Sequence, residues 1–419
     1  MEKESIAIIE SASEKIRNND IFYGYRQCSN FFYLTGHNEP DAVLILSKKN
    51  GKNLSYFFTK EPTKLQEIWT GAIDSAAKLK KKLLVNQCEY HSKIKDKLHD
   101  LIQDTDTLYH SLTLNSKLNS LVNKIIKSLE RKYRQGLNSP SKTISLNKVI
   151  HQMRLIKSSE EISHIKKACS ISVNAHKRLM KSCSPGKTEY QIGAELIHEF
   201  HSCNAKEAYP MIVASGKNAC ILHYTKNNSK LKNGHLLLTD AAAEYENYAS
   251  DITRTIPING KFTKAQKIVY EIVLNAQKKA IKKCVVGNYW SDIHREAVKA
   301  ITRGLIDIGI VKDNLKNALN KRMHEKFYMH STGHWLGLDV HDPCEYPDGK
   351  RALKLRSGMV FTVEPGIYIK AEKSIPSMFH DIGIRIEDDI LISKKGPTVL
   401  TSSLPKEIDD IEKIMRKNG

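Results

Sequence analysis

The sequence predicts an α/β protein of two domains, and three observations carry that prediction. Its 419 residues exceed the size at which a single hydrophobic core usually stops growing. Short apolar runs of strand length, at residues 42–46, 235–239 and 359–363, alternate with longer stretches of helical periodicity. A stretch rich in Ser, Asn and Pro, residues 136–145, reads as a linker between the halves. Composition agrees: 40% hydrophobic and 27% charged residues describe a globular chain and exclude a disordered or collagen-like one. No apolar run approaches the roughly 18 residues of a membrane span. Met1-Glu2-Lys3-Glu4-Ser5 leads into no apolar signal core, so a cytoplasmic location is expected.

Taken in order, residues 6–16 carry helical periodicity, and Phe31-Phe32-Tyr33-Leu34 is a short strand candidate followed by a turn over residues 36–40. Ala42-Val43-Leu44-Ile45-Leu46 reads as a buried strand. Leu54-Ser55-Tyr56-Phe57-Phe58 follows it across a Lys-Lys-Asn-Gly turn. Leu118, Leu121, Ile125, Ile126 and Leu129 recur at three- and four-residue steps, which predicts a helix within residues 112–134. Beyond the linker, Ser158-Ser159-Glu160-Glu161 has the form of a helix start, with a Ser cap and acids in the first turn. That helix runs toward Met180, and Pro185-Gly186 breaks it. Further helices are expected over 188–200, 264–282 and 291–304, and strands over the last third.

The net charge of +20 raises a nucleic-acid partner. The basic runs at 78–82, 124–134 and 278–283 are interleaved with apolar residues at helical spacing, without aromatic-basic alternation. They read as solvated helix faces, and nucleic acid is not the expected partner. The eight cysteines include no CxxC pair and read as free thiols, with Cys220 and Cys284 in the core.

The chemistry is concentrated in the segment from Leu236 to Thr255. It reads as a hairpin turning at Glu246-Asn247, in which Tyr245 pairs with Tyr248 and Asp251 falls opposite Ala242. Side chains alternate along a strand, so Asp240 and Asp251 become diagonal neighbours on one face. Two carboxylates that close repel unless a cation lies between them. The other reading makes both exposed loop acids, but Asp240 ends a run of leucines, where an unpartnered carboxylate is expensive. Two later strands add acids: residues 358–366 end in Glu364, and residues 382–390 place Arg385 and Glu387 on one face. Between them, His330, His334 and His341 fall within twelve residues. A pocket of carboxylates and one imidazole suits Mn²⁺, Co²⁺ or Fe²⁺ better than a thiolate zinc site.

With those residues in place, the chain resembles aminopeptidase P, the Xaa-Pro aminopeptidases of the creatinase/methionine-aminopeptidase, or pita-bread, metallopeptidases. Tyr25-Arg26-Gln27, the segment from Phe31 to Gly36 and Glu39-Pro40 are similar to the family's N-terminal domain. Met153-Arg154-Leu155-Ile156-Lys157-Ser158 is similar to the start of its catalytic domain. Ile221-Leu222-His223-Tyr224, the hairpin, His334-Trp335-Leu336-Gly337, Thr362-Val363-Glu364-Pro365-Gly366 and the segment from Gly383 to Asp389 follow in family order. The resemblance implies a creatinase-like α/β domain over residues 1–145 and a pita-bread domain over 150–419, an antiparallel sheet covered by helices.

It also implies two divalent ions, usually Mn²⁺. Asp251 and Glu387 would bridge them, Asp240 would complete one, and His334 with Glu364 the other. A water bridging the ions would be the nucleophile and Glu364 its base. His223 and His341 would line the substrate site and stabilise the tetrahedral intermediate, Arg385 would orient carboxylates, and His330 and Tyr368 would belong to the pocket. The implied substrates are peptides with proline second, and the implied assembly is a homodimer or homotetramer in which Trp69 reaches a neighbouring subunit. Prolidases share all five ligands, so Xaa-Pro dipeptides are the alternative substrate. A methionine aminopeptidase fits less well because it usually lacks such an N-terminal domain. A non-catalytic pita-bread module with a basic surface is the reading from another class. The chain departs from the family at Asn30, Ala242, Ser331 and Ile73, and in the loop holding Cys344 and Lys350, which bears on substrate-end recognition and oligomer contacts rather than on the metals.

Overall fold

The computed structural model describes residues 1–111, 117–346 and 353–416. The chain divides into two compact units, Met1–Met153 and Arg154–Gly419. No helix among the described residues is long and apolar enough to cross a membrane.

The first unit is built on a six-stranded mixed sheet in the order Gln87–Tyr90, Lys52–Thr59, Val43–Lys49, Ser5–Glu10, Thr107–His110, Lys142–Ser145. Three sequence expectations change here. Residues 6–16 are not helical: Ser5–Glu10 is a central strand, paired antiparallel to Val43–Lys49 and parallel to Thr107–His110. Ile6, Ala7 and Ile8 are all buried because both faces of the strand are covered, and such a strand shows a continuous apolar run instead of alternation. Phe31 to Leu34 lie in the helix Ser29–Thr35, closed by Gly36 at φ 63°, the left-handed conformation that glycine adopts without strain. Part of the expected linker is the edge strand Lys142–Ser145, which pairs with Thr107–His110.

The helix expected within 112–134 spans Lys117–Arg131; residues 112–116 lie outside the described residues, as does Lys350. The lysines at 78, 80, 81, 82, 124 and 127 are exposed on helices, as the charge pattern implies. Asn30 is buried and donates to Asn147 Oδ1 at 3.1 Å.

In the second unit, a capping box between Ser158 and Glu161 opens the helix Ser159–Ser182, and Glu189–Ser202 packs against it. Three strands follow in the order Ile212–Ser215, Leu236–Asp240, Thr253–Pro257. The pattern then repeats. Helices Lys264–Ile281 and Trp290–Asp307 pack together, and Val360–Val363 pairs with Asp388–Ser393. A core running from Ile171 to Met415 joins the helices to the sheet faces. Cys220, Cys284 and Cys344 are buried, and all eight cysteines are free thiols.

Candidate metal centre

The hairpin forms with the expected register. Tyr245 faces Tyr248 across a turn in which Glu246 and Asn247 both have positive φ, 49° and 65°. Leu236–Asp240 continues the same register against Thr253–Pro257, with Asp240 opposite Thr253. Asp240 and Asp251 therefore sit beside each other, close enough for the Tyr209 hydroxyl to reach both carboxylates, Asp240 at 2.7 Å.

Residues 382–390 differ from the single strand expected of them. Ile382–Arg385 pairs with Gly366–Ile369, and Asp388–Ser393 pairs with Val360–Val363. The chain changes partner at Ile386-Glu387, where the Glu387 N–H donates to Thr253 O at 3.1 Å. Glu387 still faces the same cavity as Arg385.

His334 is placed by backbone against Val360–Val363: its carbonyl accepts from the Thr362 N–H at 3.0 Å, and its own N–H donates to Thr362 Oγ1 at 3.1 Å. Gly333 makes that approach possible, since a Cβ there would stand 1.9 Å from Thr362 O. Glu364 leaves the end of the same strand, its N–H donating to Thr332 O at 2.8 Å.

Asp240, Asp251, His334, Glu364, Glu387, His223, His330, His341 and Arg385 all line one cavity of about 600 Å³. Tyr368 stands behind it, its hydroxyl 2.9 Å from His330 Nε2 and accepting from Arg385 Nη1 at 2.8 Å. Trp69 is not among the lining residues; it belongs to the first unit, on the short helix Lys64–Thr70, and is exposed. Ala242 is buried in the hairpin, and Ser331 lines the cavity.

Nitrogen and oxygen atoms of Asp251, His334 and Glu387 lie within 4.8 Å of one another. His334 Nδ1 faces only the Trp335 carbonyl, at 3.1 Å, so it carries a proton and leaves Nε2 directed at Asp251 Oδ2, 3.2 Å away. Glu387 Oε1 is buried without a hydrogen-bond partner. Burial, followed by the charge of Asp251, pushes the Glu387 carboxyl well above the usual range. Burial raises Glu364 to about 7, against the pull of His334 and Arg385. Burial also raises Asp251, with Asp240 adding to it. The His334 ring goes the other way from its desolvation: burial opposes its charge, but the hydrogen bond and charge of Asp251 raise it to about 9. A site in which carboxyls are pushed toward protonation and an imidazole toward its cation is short of positive charge. One orphaned carboxylate oxygen and one Nδ1-protonated imidazole are the donor set a divalent ion takes up. The residues fit the ions.

The sequence matches the model of metallopeptidase family M24 over residues 163–394 and that of the aminopeptidase P N-terminal domain over residues 1–109. The chain belongs to the M24 metallopeptidases. Its architecture is accordingly an N-terminal aminopeptidase P domain followed by a pita-bread catalytic domain. It is 40% identical to an Escherichia coli Xaa-Pro aminopeptidase over 99% of its own length and 94% of the relative's. To a Haemophilus influenzae Xaa-Pro aminopeptidase it is 39% identical, with the same coverage. Among solved structures it is similar to proline aminopeptidase P II from Yersinia pestis, with a TM-score of 0.96, 41% identity and coverage of 100% and 96% of the two chains. It is equally similar to a zinc-substituted E. coli aminopeptidase P in complex with product, with a TM-score of 0.96, 40% identity and coverage of 100% and 96%.

Two contributors to this M24 site escaped the sequence reading. The single Tyr209 hydroxyl lies within hydrogen-bond reach of both hairpin aspartates, and burial beside those acids pushes its phenol well above 10. Its signal was at most a lone Tyr-Pro pair ahead of an apolar strand. Asp389 accepts the Asp251 N–H at 3.0 Å and the Cys169 thiol at 3.3 Å, holding the hairpin from behind. It looked like one more acid in an Asp-Asp pair.

Proposed function

We propose that the chain is a dimetal Xaa-Pro aminopeptidase that releases the first residue from peptides whose second residue is proline. In this reading Asp240, Asp251, His334, Glu364 and Glu387 hold two divalent ions, Mn²⁺ by preference for an oxygen-rich set with one imidazole. The observation that carries it is the meeting of those carboxylates and His334 in a cavity that also presents His223, His330, His341 and Arg385. The full-length identity to Xaa-Pro aminopeptidases supports it.

Bound divalent ions supply Lewis-acid polarisation of the scissile carbonyl and acidification of a water. The protein supplies the rest. Glu364, raised to about 7 by burial, has the basicity of a group that takes a proton and returns it to the leaving nitrogen. His341 is kept neutral by burial and by His334 beside it, ring centroids 4.3 Å apart, so it meets substrate as a neutral donor. His330 is held neutral by burial and Arg385, its ring lowered to about 3. Arg385 grips Asp240 Oδ2 at 2.6 Å and Thr253 Oγ1 at 3.1 Å, and Thr253 donates to Glu387 Oε2 at 2.6 Å. One guanidinium thus orients two of the five acids and bases. An Xaa-Pro bond has no N–H for a peptidase to hold. Recognition must then come from the free amine and the shape of the cavity.

Exposed Leu65, Ile68 and Trp69 on one short helix support a homodimer or homotetramer. The free thiols support a reducing compartment, the cytoplasm. The test is metal-stripped protein reloaded with Mn²⁺ and offered Ala-Pro-Ala, Ala-Pro and Met-Ala-Ser. Manganese-dependent release of alanine from the tripeptide, with the dipeptide slower, is the expected result. Faster dipeptide turnover makes it a prolidase, and no cleavage with metal bound ends the peptidase reading.

A further inference from the structure

Glu189 is the first residue of the helix Glu189–Ser202, and its side chain is completely buried. An acid at a helix start usually faces water and the positive end of the helix dipole. This one faces inward, where a carboxylate is costly unless its oxygens are hydrogen-bonded. Oε1 accepts from the Ser215 N–H and hydroxyl, both at 2.7 Å, and from Asn218 Nδ2 at 3.1 Å. Oε2 accepts from the Tyr224 hydroxyl and the Ser229 N–H, both at 2.9 Å. All five donors are neutral and all five belong to residues 215–229.

That segment contributes to the cavity wall and bears none of the five metal ligands. Leu222, His223 and Thr225 line the cavity, while Tyr224, between them, is buried with Ile212, Ala214, Ala219, Cys220, Leu238 and Tyr368. Its ring packs in that cluster and its hydroxyl ends on Glu189, so the loop is pinned at the residue next to His223. We infer that Glu189, acting through Tyr224, is a positioning residue that holds His223 against the substrate. The inference rests on the Xaa-Pro aminopeptidase reading for the role of His223. Loosening this anchor displaces a substrate contact, whereas Asp240, Asp251, His334, Glu364 and Glu387 all lie outside residues 215–229 and keep their own backbone supports. Turnover should therefore fall while bound metal does not.

The test is a double-mutant cycle on the manganese-loaded enzyme with Ala-Pro-Ala, comparing Glu189→Gln, Tyr224→Phe, His223→Ala and the two doubles with His223→Ala. A displacement of the order of 1 Å at a reacting centre costs up to about 10²-fold. The expected kcat/KM losses are accordingly about tenfold for Tyr224→Phe and up to about 10²-fold for Glu189→Gln, both with wild-type metal stoichiometry. In the His223→Ala background neither substitution should lower kcat/KM further. Losses that multiply with His223→Ala, or a Tyr224→Phe enzyme equal to wild type, overturn the inference. Tyr224→Phe removes one hydroxyl and keeps the other four donors on Glu189, so it decides the matter if Glu189→Gln does not fold. If wild-type protein fails to cleave the tripeptide, the functional reading falls separately. The His223 imidazole resonance, assigned by its loss in His223→Ala, then settles the positioning: it should shift in Tyr224→Phe, and an unmoved resonance refutes it.

Discussion

Replacing Asp342 by Asn should destabilise the second unit by several kcal/mol, about 3–5 by the reasoning that follows. Asp342 is 1% exposed and faces two buried cations: Arg154, 2% exposed, and Lys157, whose Nζ lies 3.1 Å away. The isosteric amide keeps the volume but removes the carboxylate that faces both cations, so Arg154 loses its buried pair while keeping the one with half-exposed Asp339, and Lys157 loses its pair with Asp342. Removing one partner from a buried charge cluster typically costs about 3–5 kcal/mol. With a urea slope of roughly 2–3 kcal/mol/M for a unit this size, the midpoint should fall by about 1–2.5 M at pH 7. The pH dependence has a definite sign. Burial would raise the Asp342 carboxyl, but Lys157 and Arg154 outweigh it and hold it below its ordinary value of 3.8. A depressed carboxyl stabilises the fold above its unfolded pKa and loses that contribution as pH falls through the folded one. The gap between wild type and Asp342→Asn should thus be constant from pH 7 to about pH 5 and shrink below about pH 4. Urea melts of metal-free protein, followed by the fluorescence of Trp290 and Trp335, measure both quantities. A variant within about 1 kcal/mol of wild type at pH 7, or a gap that stays the same down to pH 3, refutes the reasoning.

Chelation should abolish peptide cleavage and Mn²⁺ should restore it, while Glu364→Gln should lower kcat by about 10²–10⁴-fold, the usual size of a lost general base; stopped assays with excess metal check both. Gly333→Ala would put a Cβ 1.9 Å from Thr362 O, a backbone atom that cannot swing aside. It should move His334 and cut metal stoichiometry, read by elemental analysis, and a fully loaded variant would contradict that. His176 donates from Nε2 to the Ala241 carbonyl at 2.8 Å, has no partner at Nδ1, and is lowered by burial to about 4. A depressed histidine stabilises the fold fully above its ordinary 6.5 and loses that stability as pH falls toward 4. His176→Gln should flatten the stability profile in that window, measured by melts at pH 7, 5.5 and 4.5, and an unchanged slope would remove His176 from the account.

What could be read from the sequence divides along a physical line. The hairpin was legible because a two-residue turn fixes register locally, and register fixes which acids share a face; Asp240 opposite Thr253 follows from counting. The cap at Ser158 was legible for the same reason, since it depends on four consecutive residues. The central strand Ser5–Glu10 was misread because neighbours distant in sequence, Val43–Lys49 and Thr107–His110, cover its two faces and erase the alternation that marks a strand. The same limit hid several buried supports of the second unit. Asp389 acts on Asp251 across 138 positions, and Arg154 acts on Asp342 across 188. The residues that would touch ions and substrate are clustered in short motifs, whereas the residues that aim them are single side chains brought in from elsewhere. Arg154, Lys157 and Asp389 fall within short motifs that do not show what each of them faces, and Glu189 has no local pattern to betray it. Their partners are set by the packing of whole helices against the sheet, which no window of one sequence contains.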